Sequence, residues 1–336
     1  MGYTGSVKLL HKEDFTMTAT DLITLTPVFH HKMWGGQKLR TDFHFPIDPE
    51  PTGEAWTIGA HPNGDCVIKA GPRVGQTLSQ LYQQQPALFG NPTETTFPLL
   101  VKILDANQQL SVQVHPDDSY AYEHAHERGK TECWYVLSAE PNSYLIYGHT
   151  AQTKTELETM VNNHQWEQLL SKRYVKAGDF VYVPSGTIHA IGPGVVVLEI
   201  QQSSDTTYRF YDFDRVDPAT GTTRELHIAD SLACTTVPHH DPVLPDPVHH
   251  PGKSETLLNE SNFHVIRWQV DHETITAHHH GSPYTLLSVI DGTGAIIIGH
   301  ETTPITKGDS FIVPATIDEW QFSGNLTVIG AEPTIK

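Results

Sequence analysis

The sequence is poor in cysteine and lacks long apolar runs. Its three cysteines, Cys66, Cys133 and Cys234, are odd in number, widely spaced and outside any CxxC pattern. They therefore indicate neither a disulfide framework nor a thiolate zinc site, and they are typical of a reducing compartment. No segment approaches the roughly 18 apolar residues of a membrane helix, and Met1–Gly5 lacks the apolar stretch of a signal peptide. We expect a soluble, cytoplasmic protein.

Basic residues are scarce as well. The 336 residues include 21 Lys and Arg against 39 Asp and Glu, which gives a formal net charge of −18 with histidine neutral. Binding to nucleic acid or to an anionic membrane depends on a surplus of Lys and Arg, so neither partner is expected. A phosphorylated small molecule remains compatible, because a few local cations suffice for one phosphate. The GxGxxG, Walker, GxSxG and HExxH patterns do not occur, so nucleotide hydrolysis and serine hydrolysis have no support.

Short strands dominate the predicted secondary structure. Turn residues recur about every eight to twelve positions, and the segments between them are rich in Val, Ile, Thr, Tyr and Phe, which is typical of a β-sandwich or barrel. The predicted strands are Leu99–Leu104, Cys133–Leu137, Tyr144–Tyr147, Phe180–Val183, Val195–Ile200, Leu286–Ile290, Ala295–Ile298, Phe311–Val313 and Leu326–Ile329. Helical periodicity occurs in two segments, Leu78–Phe89 and Thr155–Leu170, which we expect to be packing elements.

The two halves of the chain contain a diverged repeat. Gly178–Pro184 (GDFVYVP) aligns with Gly308–Pro314 (GDSFIVP) at an offset of 130, and Tyr135–Leu137 aligns with Ser288–Ile290 at an offset of 153. The difference of 23 residues equals the length of the segment 150–172, which contains the second predicted helix. The repeat predicts two copies of one β unit with a helical insertion in the first, although short turn motifs also match by chance.

This repeat suggests a division of the chain. Met17 offers a second plausible start, so residues 1–16 are a possible leader or disordered segment. Residues 17–238 are expected to form the first β unit with its helical insertions. Residues 239–253, rich in proline and histidine, are predicted to be a linker, and residues 254–336 are expected to form the second unit.

Polar side chains are predicted to face the interior of the first unit. In Gly178-x5-Pro184-x-Gly186-x2-His189, the glycines and proline bend the chain so that His189 turns inward. In the strand upstream, alternation places Ser111, Gln113 and His115 on one face and valines on the other. Glu132 heads a further strand. Polar groups on an inward face are costly unless they are paired or bind a ligand.

Two imidazoles, one carboxylate and one amide form a mixed nitrogen and oxygen ligand set. Such a set suits Zn²⁺ with an open position, and also Fe²⁺, Mn²⁺ or Co²⁺. The alternative is that these residues are satisfied core polar groups or surface histidines, since the chain has 22 histidines. The remaining histidine clusters are more typical of solvated loops; they are His30-His31, His239-His240, His249-His250 and His278-His279-His280.

At these residues the chain resembles known families. Gly178–His189 resembles the second motif of the cupins. The surrounding segments resemble type I mannose-6-phosphate isomerases; they are Leu110–Asp118 (LSVQVHPDD), Gly129–Tyr135 (GKTECWY) and Gln201–Arg209 (QQSSDTTYR), with Trp34–Gly36 and Gly53–Trp56 in agreement. The resemblance extends from about Pro27 to Pro333, and the length resembles the short bacterial form of the family.

The resemblance implies a mainly β fold of two cupin-type jelly-roll barrels with a few helices, the first binding metal and the second degenerate. It implies one Zn²⁺ per chain in the first unit and interconversion of mannose 6-phosphate and fructose 6-phosphate through a cis-enediol. The matching positions are the zinc ligands Gln113, His115, Glu132 and His189, the active-site arginine Arg209, Lys130 beside the metal glutamate, and Lys102 and Ser111 near the substrate phosphate.

The chemistry of an aldose–ketose isomerase agrees with these residue types. Negative charge develops on two sugar oxygens, and a divalent metal and a guanidinium both stabilise it. A base must remove the proton from C2. Lys130 beside a dication could serve through a lowered pKa, with Glu199, Asp205 or a water on the metal as alternatives. Otherwise, Lys130 would be a surface lysine and Arg209 would pair with Asp212 or Asp214.

The second unit departs from the pattern. Thr285 stands at the position equivalent to Glu132, and Glu319 at the position equivalent to His189, so we expect no metal there. Only His278–His280 keeps a second metal open. Alternative functions are a cupin oxygenase or epimerase, a metal-binding cupin acting on another phosphosugar, a non-catalytic sugar-binding cupin and a storage-type bicupin. A small phosphosugar is the expected partner, and the oligomeric state, monomer or homodimer, stays open.

Overall fold

The computed structural model describes residues 22–217, 220–244 and 254–334, and most of its regular structure is β-strand. In these residues the strands are β1 Ile23–Thr26, β2 Val28–Gly36, β3 Thr52–Ile58, β4 Ala60–His61, β5 Gly64–Asp65, β6 Val67–Ile68, β7 Leu99–Ala106, β8 Val112–Val114, β9 Glu132–Ala139, β10 Tyr144–His149, β11 Leu170–Tyr174, β12 Phe180–Val183, β13 His189–Ile191, β14 Val195–Gln202, β15 Tyr208–Tyr211, β16 Ser254–Asn259, β17 Phe263–His278, β18 Thr285–Ile298, β19 Glu301–Thr306, β20 Ser310–Val313 and β21 Glu319–Pro333. The predicted mainly β class is confirmed.

Two sheets enclose the interior of the first unit. A six-stranded sheet has the order β12-β9-β14-β7-β2-β3, and a five-stranded sheet has the order β11-β10-β13-β8-β15. Leu104 and Trp134 of the first sheet pack in one buried cluster with Leu145, Tyr147 and Ile191 of the second. The barrel core therefore lies between these sheets, and β8, β9 and β13 border it. A separate two-stranded sheet pairs β4 with β5.

The second unit is built on an eight-stranded sheet. Its order is β16-β17-β21-β18-β20-β1-β6, with β19 paired to β18. Strands β1 and β6 come from the N-terminal part of the chain; Ile23 pairs with Ile312, and Leu25 pairs with Ile68. The division into 17–238 and 254–336 stays a prediction, but these two strands hydrogen-bond into the sheet of the second unit. The predicted leader and residues 245–253 of the predicted linker lie outside the described residues.

The predicted repeat is visible in the strand pairing. Gly178 and Gly308 both have positive φ, 90° and 97°, and each begins the turn that leads into a short strand, β12 or β20. Strand β12 pairs with β9 so that Val183 faces Glu132, and β20 pairs with β18 so that Val313 faces Thr285. The pairing therefore confirms that Glu132 and Thr285 are equivalent. Strand β18 is continuous where two strands were predicted, because Gly292 and Gly294 between them pair in register with Leu326 and Gly324 of β21.

The helices of the described residues are short: α1 Lys38–Thr41, α2 Leu78–Gln84, α3 Asp118–His124, α4 Lys154–Asn162, α5 Trp166–Leu169 and α6 Ile228–Cys234. Both predicted helices are interrupted. The first ends at Gln84 and continues as a 3-10 turn from Pro86, which lacks the N–H that a helix needs. The second breaks around His164, whose φ is 53°. None of the described helices has the length and apolar character needed to cross a bilayer.

Aromatic residues join the cores of the two units. Tyr284, which precedes β18, contacts the rings of Phe89 and Phe97 with centroid distances of 5.2 and 6.0 Å. These side chains belong to one buried cluster that includes residues of both units. Arg267 of β17 also donates to the hydroxyl of Tyr135 in β9, at 3.1 Å. The two units therefore share one of their buried clusters, in addition to the core that lies between the sheets of the first unit.

We expect Phe89→Ala to lower the free energy of unfolding by about 3–5 kcal/mol, because the truncation leaves a cavity in this shared core. Urea unfolding followed by tryptophan fluorescence and by circular dichroism should show one transition with both probes. Val74→Ala is the matched control, since Val74 is 62% exposed, and its effect should stay within about 0.5 kcal/mol. Two separate transitions, of which only one shifts in Phe89→Ala, would contradict a shared core.

Candidate active site

Three buried side chains converge inside the first unit. His115 directly follows β8, Glu132 begins β9 and His189 begins β13. The Nε2 atoms of His115 and His189 lie 3.4 and 3.3 Å from the two carboxylate oxygens of Glu132. In the part of the chain that the structure describes, this is the only group of three or more His, Cys, Asp or Glu residues whose ligand atoms lie within 4.8 Å of one another.

Backbone carbonyls orient both imidazoles. Nδ1 of His115 lies 3.0 Å from the carbonyl oxygen of Thr206, and Nδ1 of His189 lies 2.9 Å from that of Thr187. Because a carbonyl oxygen only accepts, each Nδ1 must carry the hydrogen, and each Nε2 is left with its lone pair directed toward Glu132. This arrangement, in which the far nitrogen of a histidine is fixed by a second group, is the usual one for metal-binding histidines.

The cluster leaves polar atoms unsatisfied. Among the described residues, Nε2 of His115 and both carboxylate oxygens of Glu132 are buried without a hydrogen-bond partner. Such atoms are costly in an apolar interior, and a cation bound between them would remove that cost. The amide of Gln113 lies against His189, with Nε2 atoms 3.4 Å apart, and rotation of the amide would present its oxygen to the cluster. The residues therefore fit a divalent metal ion.

Burial sets the protonation of the cluster. It lowers the pKa of His189 to about 4 and holds the pKa of His115 well below its usual value, with the charge of Lys130 adding to the effect on both. Both imidazoles are therefore neutral at pH 7, as metal ligands must be. Burial also raises the pKa of Glu132, although Lys130 and Lys102 oppose that shift.

A row of alternating charges borders the cluster. In the sheet, Lys102 of β7 pairs with Glu199 of β14 on one side and with Trp56 of β3 on the other. Its ammonium lies 3.5 Å from Glu199 and 3.8 Å from Glu54, whose pKa is lowered to about 2 because the charges of Lys102 and Lys32 outweigh its burial. Lys102 is thus held between two carboxylates.

Lys102, Glu199 and Glu54 line a cavity of about 310 Å³. Gln113 and Lys130 line it and also contact the cluster, so the cluster lies behind its wall. The cavity brings together the predicted residues Lys102, Ser111, Gln113, Lys130 and Arg209 with Glu199 and Asp205, and it adds Lys32, Trp34, Glu54, Leu104, Leu110, Thr207 and Arg224. Arg224 lies in a loop and belongs to none of the segments singled out in the sequence. Glu54 belongs to Gly53–Trp56, one of the segments that resemble the isomerase family.

Arg209 is a cation without a carboxylate partner in the described residues. Its Nη1 donates to the carbonyl of Glu225 at 2.8 Å, and its Nε is buried without a hydrogen-bond partner. Asp212 is instead bound by Arg215 and Arg224. The alternative in which Arg209 pairs with Asp212 or Asp214 is therefore not seen in these residues.

Lys130 is buried, so the alternative of a surface lysine is wrong. Its ammonium lies 3.3 Å from Glu132. Burial alone would lower the pKa of Lys130, but the carboxylates of Glu132 and Glu199 outweigh burial and raise it. The residues of the chain therefore hold Lys130 protonated. Asp205 also lines the cavity, where its carboxylate accepts a hydrogen bond of 2.8 Å from Asn63.

The equivalent region of the second unit is organised differently. Thr285 is buried and donates to Glu332 at 2.7 Å, while Glu319 is 59% exposed and lies 3.8 Å from His278. His279 has a hydrogen-bond partner at each ring nitrogen, Thr285 at 2.8 Å and a backbone carbonyl at 2.9 Å. That this unit binds no metal stays a prediction.

Comparison with known proteins gives a consistent result. Residues 22–160 match the family model for the catalytic domain of type I phosphomannose isomerase, and residues 253–333 match that for the cupin domain of mannose-6-phosphate isomerase. The chain is 49% identical to the mannose-6-phosphate isomerase of Streptococcus mutans, over 90% of this chain and 95% of the relative.

Two comparisons with Bacillus subtilis proteins agree. The mannose-6-phosphate isomerase ManA is 44% identical over 91% of this chain and 96% of its own. The crystal structure of a Bacillus subtilis mannose 6-phosphate isomerase superposes with a TM-score of 0.88 at 43% identity, covering 93% of this chain and 99% of that one.

The neutral imidazoles make the stability of the metal-free protein depend on pH. The pKa of His115 and of His189 is lower in the folded chain than the usual 6.5, so between about pH 6.5 and 4 the unfolded chain binds more protons. The free energy of unfolding should fall as the pH drops through this range. Urea midpoints of chelator-treated protein should show a shallower pH dependence in His189→Gln. His272→Gln, at an exposed histidine, should match wild type; identical slopes in all three proteins would refute the assignment.

Proposed function

The chain belongs to the type I phosphomannose isomerase family, and from this premise we propose that it interconverts mannose 6-phosphate and fructose 6-phosphate in the cavity beside His115, Glu132 and His189. The observation that carries this assignment is the convergence of two oriented imidazoles on one buried carboxylate. The same cavity presents cations to a phosphorylated sugar. The relatives support the aldose–ketose isomerase reaction itself.

We assign the metal as one Zn²⁺ per chain, held by His115, Glu132, His189 and the amide oxygen of Gln113. A ligand set of nitrogen and oxygen without thiolate is compatible with Zn²⁺, and the resemblance to type I mannose-6-phosphate isomerases favours zinc over the other divalent ions that this set also suits. A bound divalent ion supplies a Lewis acid that stabilises the negative charge developing on sugar oxygens O1 and O2. The chain's own residues are responsible for substrate binding, orientation and proton transfer.

Arg209 is proposed to stabilise the enediolate. Its guanidinium has no carboxylate partner among the described residues, so its charge is available to a ligand. Preorganised donors of this kind contribute most where charge develops during the reaction. The backbone contact to Glu225 fixes the guanidinium without neutralising it.

The substrate phosphate is proposed to bind near Lys102 and Ser111. Both residues line the cavity, and the hydroxyl of Ser111 can donate to a phosphate oxygen. The ammonium of Lys102 is shared by Glu54 and Glu199, which leaves one of its three N–H groups for the phosphate. Burial between these carboxylates keeps the lysine in place before the substrate arrives.

Proton transfer between C2 and C1 is proposed to involve Lys130 together with a carboxylate. Because its neighbours raise its pKa, Lys130 enters the reaction as an ammonium that donates a proton to O1 as the enediol forms and takes back the proton of O2 as the enediol collapses to the ketose. Asp205 then supplies the base: it accepts the C2 proton and returns it to C1. Among the carboxylates that line the cavity, Glu54 and Glu199 are bound to Lys102, whereas Asp205 has no ion pair in the described residues.

We also propose a cytoplasmic location, which the three free cysteines support. The alternatives are a metal-binding cupin that acts on another phosphosugar and a non-catalytic sugar-binding cupin. A coupled assay of the conversion of mannose 6-phosphate to fructose 6-phosphate distinguishes both alternatives from the proposal, because neither is expected to catalyse it.

We expect this activity to be lost after chelator treatment and restored by Zn²⁺. His189→Ala should contain much less than one zinc per chain by elemental analysis and should not recover on zinc addition, because a ligand is missing. His278→Ala is the control, since His278 is exposed in the second unit, and it should keep wild-type zinc and activity. Full zinc occupancy in His189→Ala would contradict the assignment of His189 as a zinc ligand. A zinc-loaded wild type without activity would favour the alternatives.

Arg209→Ala should retain its zinc but lose about 100-fold in kcat, as removal of one preorganised donor typically does. Steady-state kinetics with mannose 6-phosphate and elemental analysis of the same samples would measure both quantities. Arg40→Ala is the matched control, because Arg40 is an exposed arginine outside the cavity. Wild-type turnover in Arg209→Ala would exclude a catalytic role.

A further inference from the structure

Glu127 joins three segments of the chain just outside the cavity. It follows α3, and its Oε1 lies 3.0 Å from Nε2 of His61 in β4. Its Oε2 accepts three hydrogen bonds from the loop between β14 and β15: one of 3.0 Å from the hydroxyl of Ser204, one of 3.2 Å from the N–H of Asp205 and one of 2.7 Å from the hydroxyl of Thr206. Hydrogen bonds to a carboxylate are stronger than those between neutral groups.

The loop that Glu127 holds supplies two parts of the site. The carbonyl oxygen of Thr206 fixes Nδ1 of His115, and thereby sets the direction of the lone pair on Nε2. Asp205 lines the cavity. Because these groups are on adjacent residues, a displacement of the loop would change both the orientation of a metal ligand and the position of the proposed base.

Two other side chains bind this loop, but at atoms other than those of Thr206. Gln201 donates to the carbonyl of Ser204 at 2.6 Å, and Asn63 donates to the carboxylate of Asp205 at 2.8 Å. Among the described residues, Glu127 supplies the one side chain that binds the hydroxyl of Thr206, the residue whose carbonyl contacts His115.

We propose that Glu127 is a positioning residue, which fixes the Ser204–Thr206 loop so that Thr206 orients His115 for the metal and Asp205 faces the cavity. The proposal rests on the proposed function, since it takes His115 as a metal ligand. Glu127 itself touches neither the cluster nor the substrate cavity. Although partial burial opposes ionisation, the hydrogen bonds from Thr206, His61 and Ser204 lower the pKa of Glu127, so the carboxylate is ionised at neutral pH.

The test compares wild type with Glu127→Ala and Glu127→Gln. Zn²⁺ affinity of chelator-treated protein is measured by competition with a chromogenic chelator, and kcat and KM for mannose 6-phosphate are measured with zinc in excess. Glu127→Ala should weaken Zn²⁺ binding about tenfold, within the range found for groups that orient metal ligands. With Asp205 misplaced, kcat should fall at saturating zinc. Glu127→Gln should recover part of both losses, because its amide oxygen still accepts from Thr206.

Glu123→Ala is the matched control, since Glu123 lies in the adjacent α3 and is 77% exposed; it should behave as wild type. Thr206→Val removes the hydroxyl that donates to Glu127 and keeps the backbone carbonyl that contacts His115. It should weaken Zn²⁺ binding about fivefold, and it provides the test if Glu127→Ala does not fold. Wild-type zinc affinity and kcat in Thr206→Val or in a folded Glu127→Ala, whatever the melting temperature, would overturn the positioning role. A wild-type chain that binds no Zn²⁺ would overturn the proposed metal site and this role together.

Discussion

The buried carboxylate of Glu132 is the constraint on which the rest of the site depends. Two imidazole nitrogens face it at 3.4 and 3.3 Å, and its charged neighbour is the ammonium of Lys130 at 3.3 Å. A protein keeps such an arrangement only if the surrounding fold supplies enough stability to hold it. Here the strand pairing fixes Glu132 opposite Val183 and Gln201, and carbonyl groups prevent both histidines from turning away. The three side chains are therefore preorganised in an arrangement that could hold a metal ion.

The same sheet positions the charges around the cluster. Lys102 and Glu199 face each other on adjacent strands. The backbone register therefore brings their side chains together into an ion pair. Of the described cations that line the cavity, Arg209 is the one without a carboxylate partner. Arranged in this way, the cavity can bind an anionic substrate although the chain as a whole carries a formal charge of −18.

Local patterns in the sequence were sufficient for the fold class and for the convergence of the cluster. Strand alternation and one turn motif placed His115 and His189 correctly, because both signals act over a few residues. The contribution of Glu127 could not be predicted from such patterns, since it reaches the loop of Ser204–Thr206 from a segment almost 80 positions away, and Arg224 lies in a loop without strand alternation. For the same reason β1 was not expected in the sheet of the second unit; its pairing with β20 joins residues almost 290 positions apart.

The second unit also contains a buried carboxylate, that of Glu332, but its hydrogen-bond donors are supplied by the chain. Glu332 is as buried as Glu132, but its oxygens accept from the hydroxyl of Thr285 and from the backbone N–H of His280. His264, the hydroxyl of Thr285 and the N–H of His280 lower the pKa of Glu332 despite burial, whereas burial raises the pKa of Glu132 although Lys130 opposes the shift. A satisfied carboxylate gains less from a cation than an orphaned one. At the position equivalent to Glu132, Thr285 therefore donates a hydrogen bond to a buried carboxylate instead of contributing one.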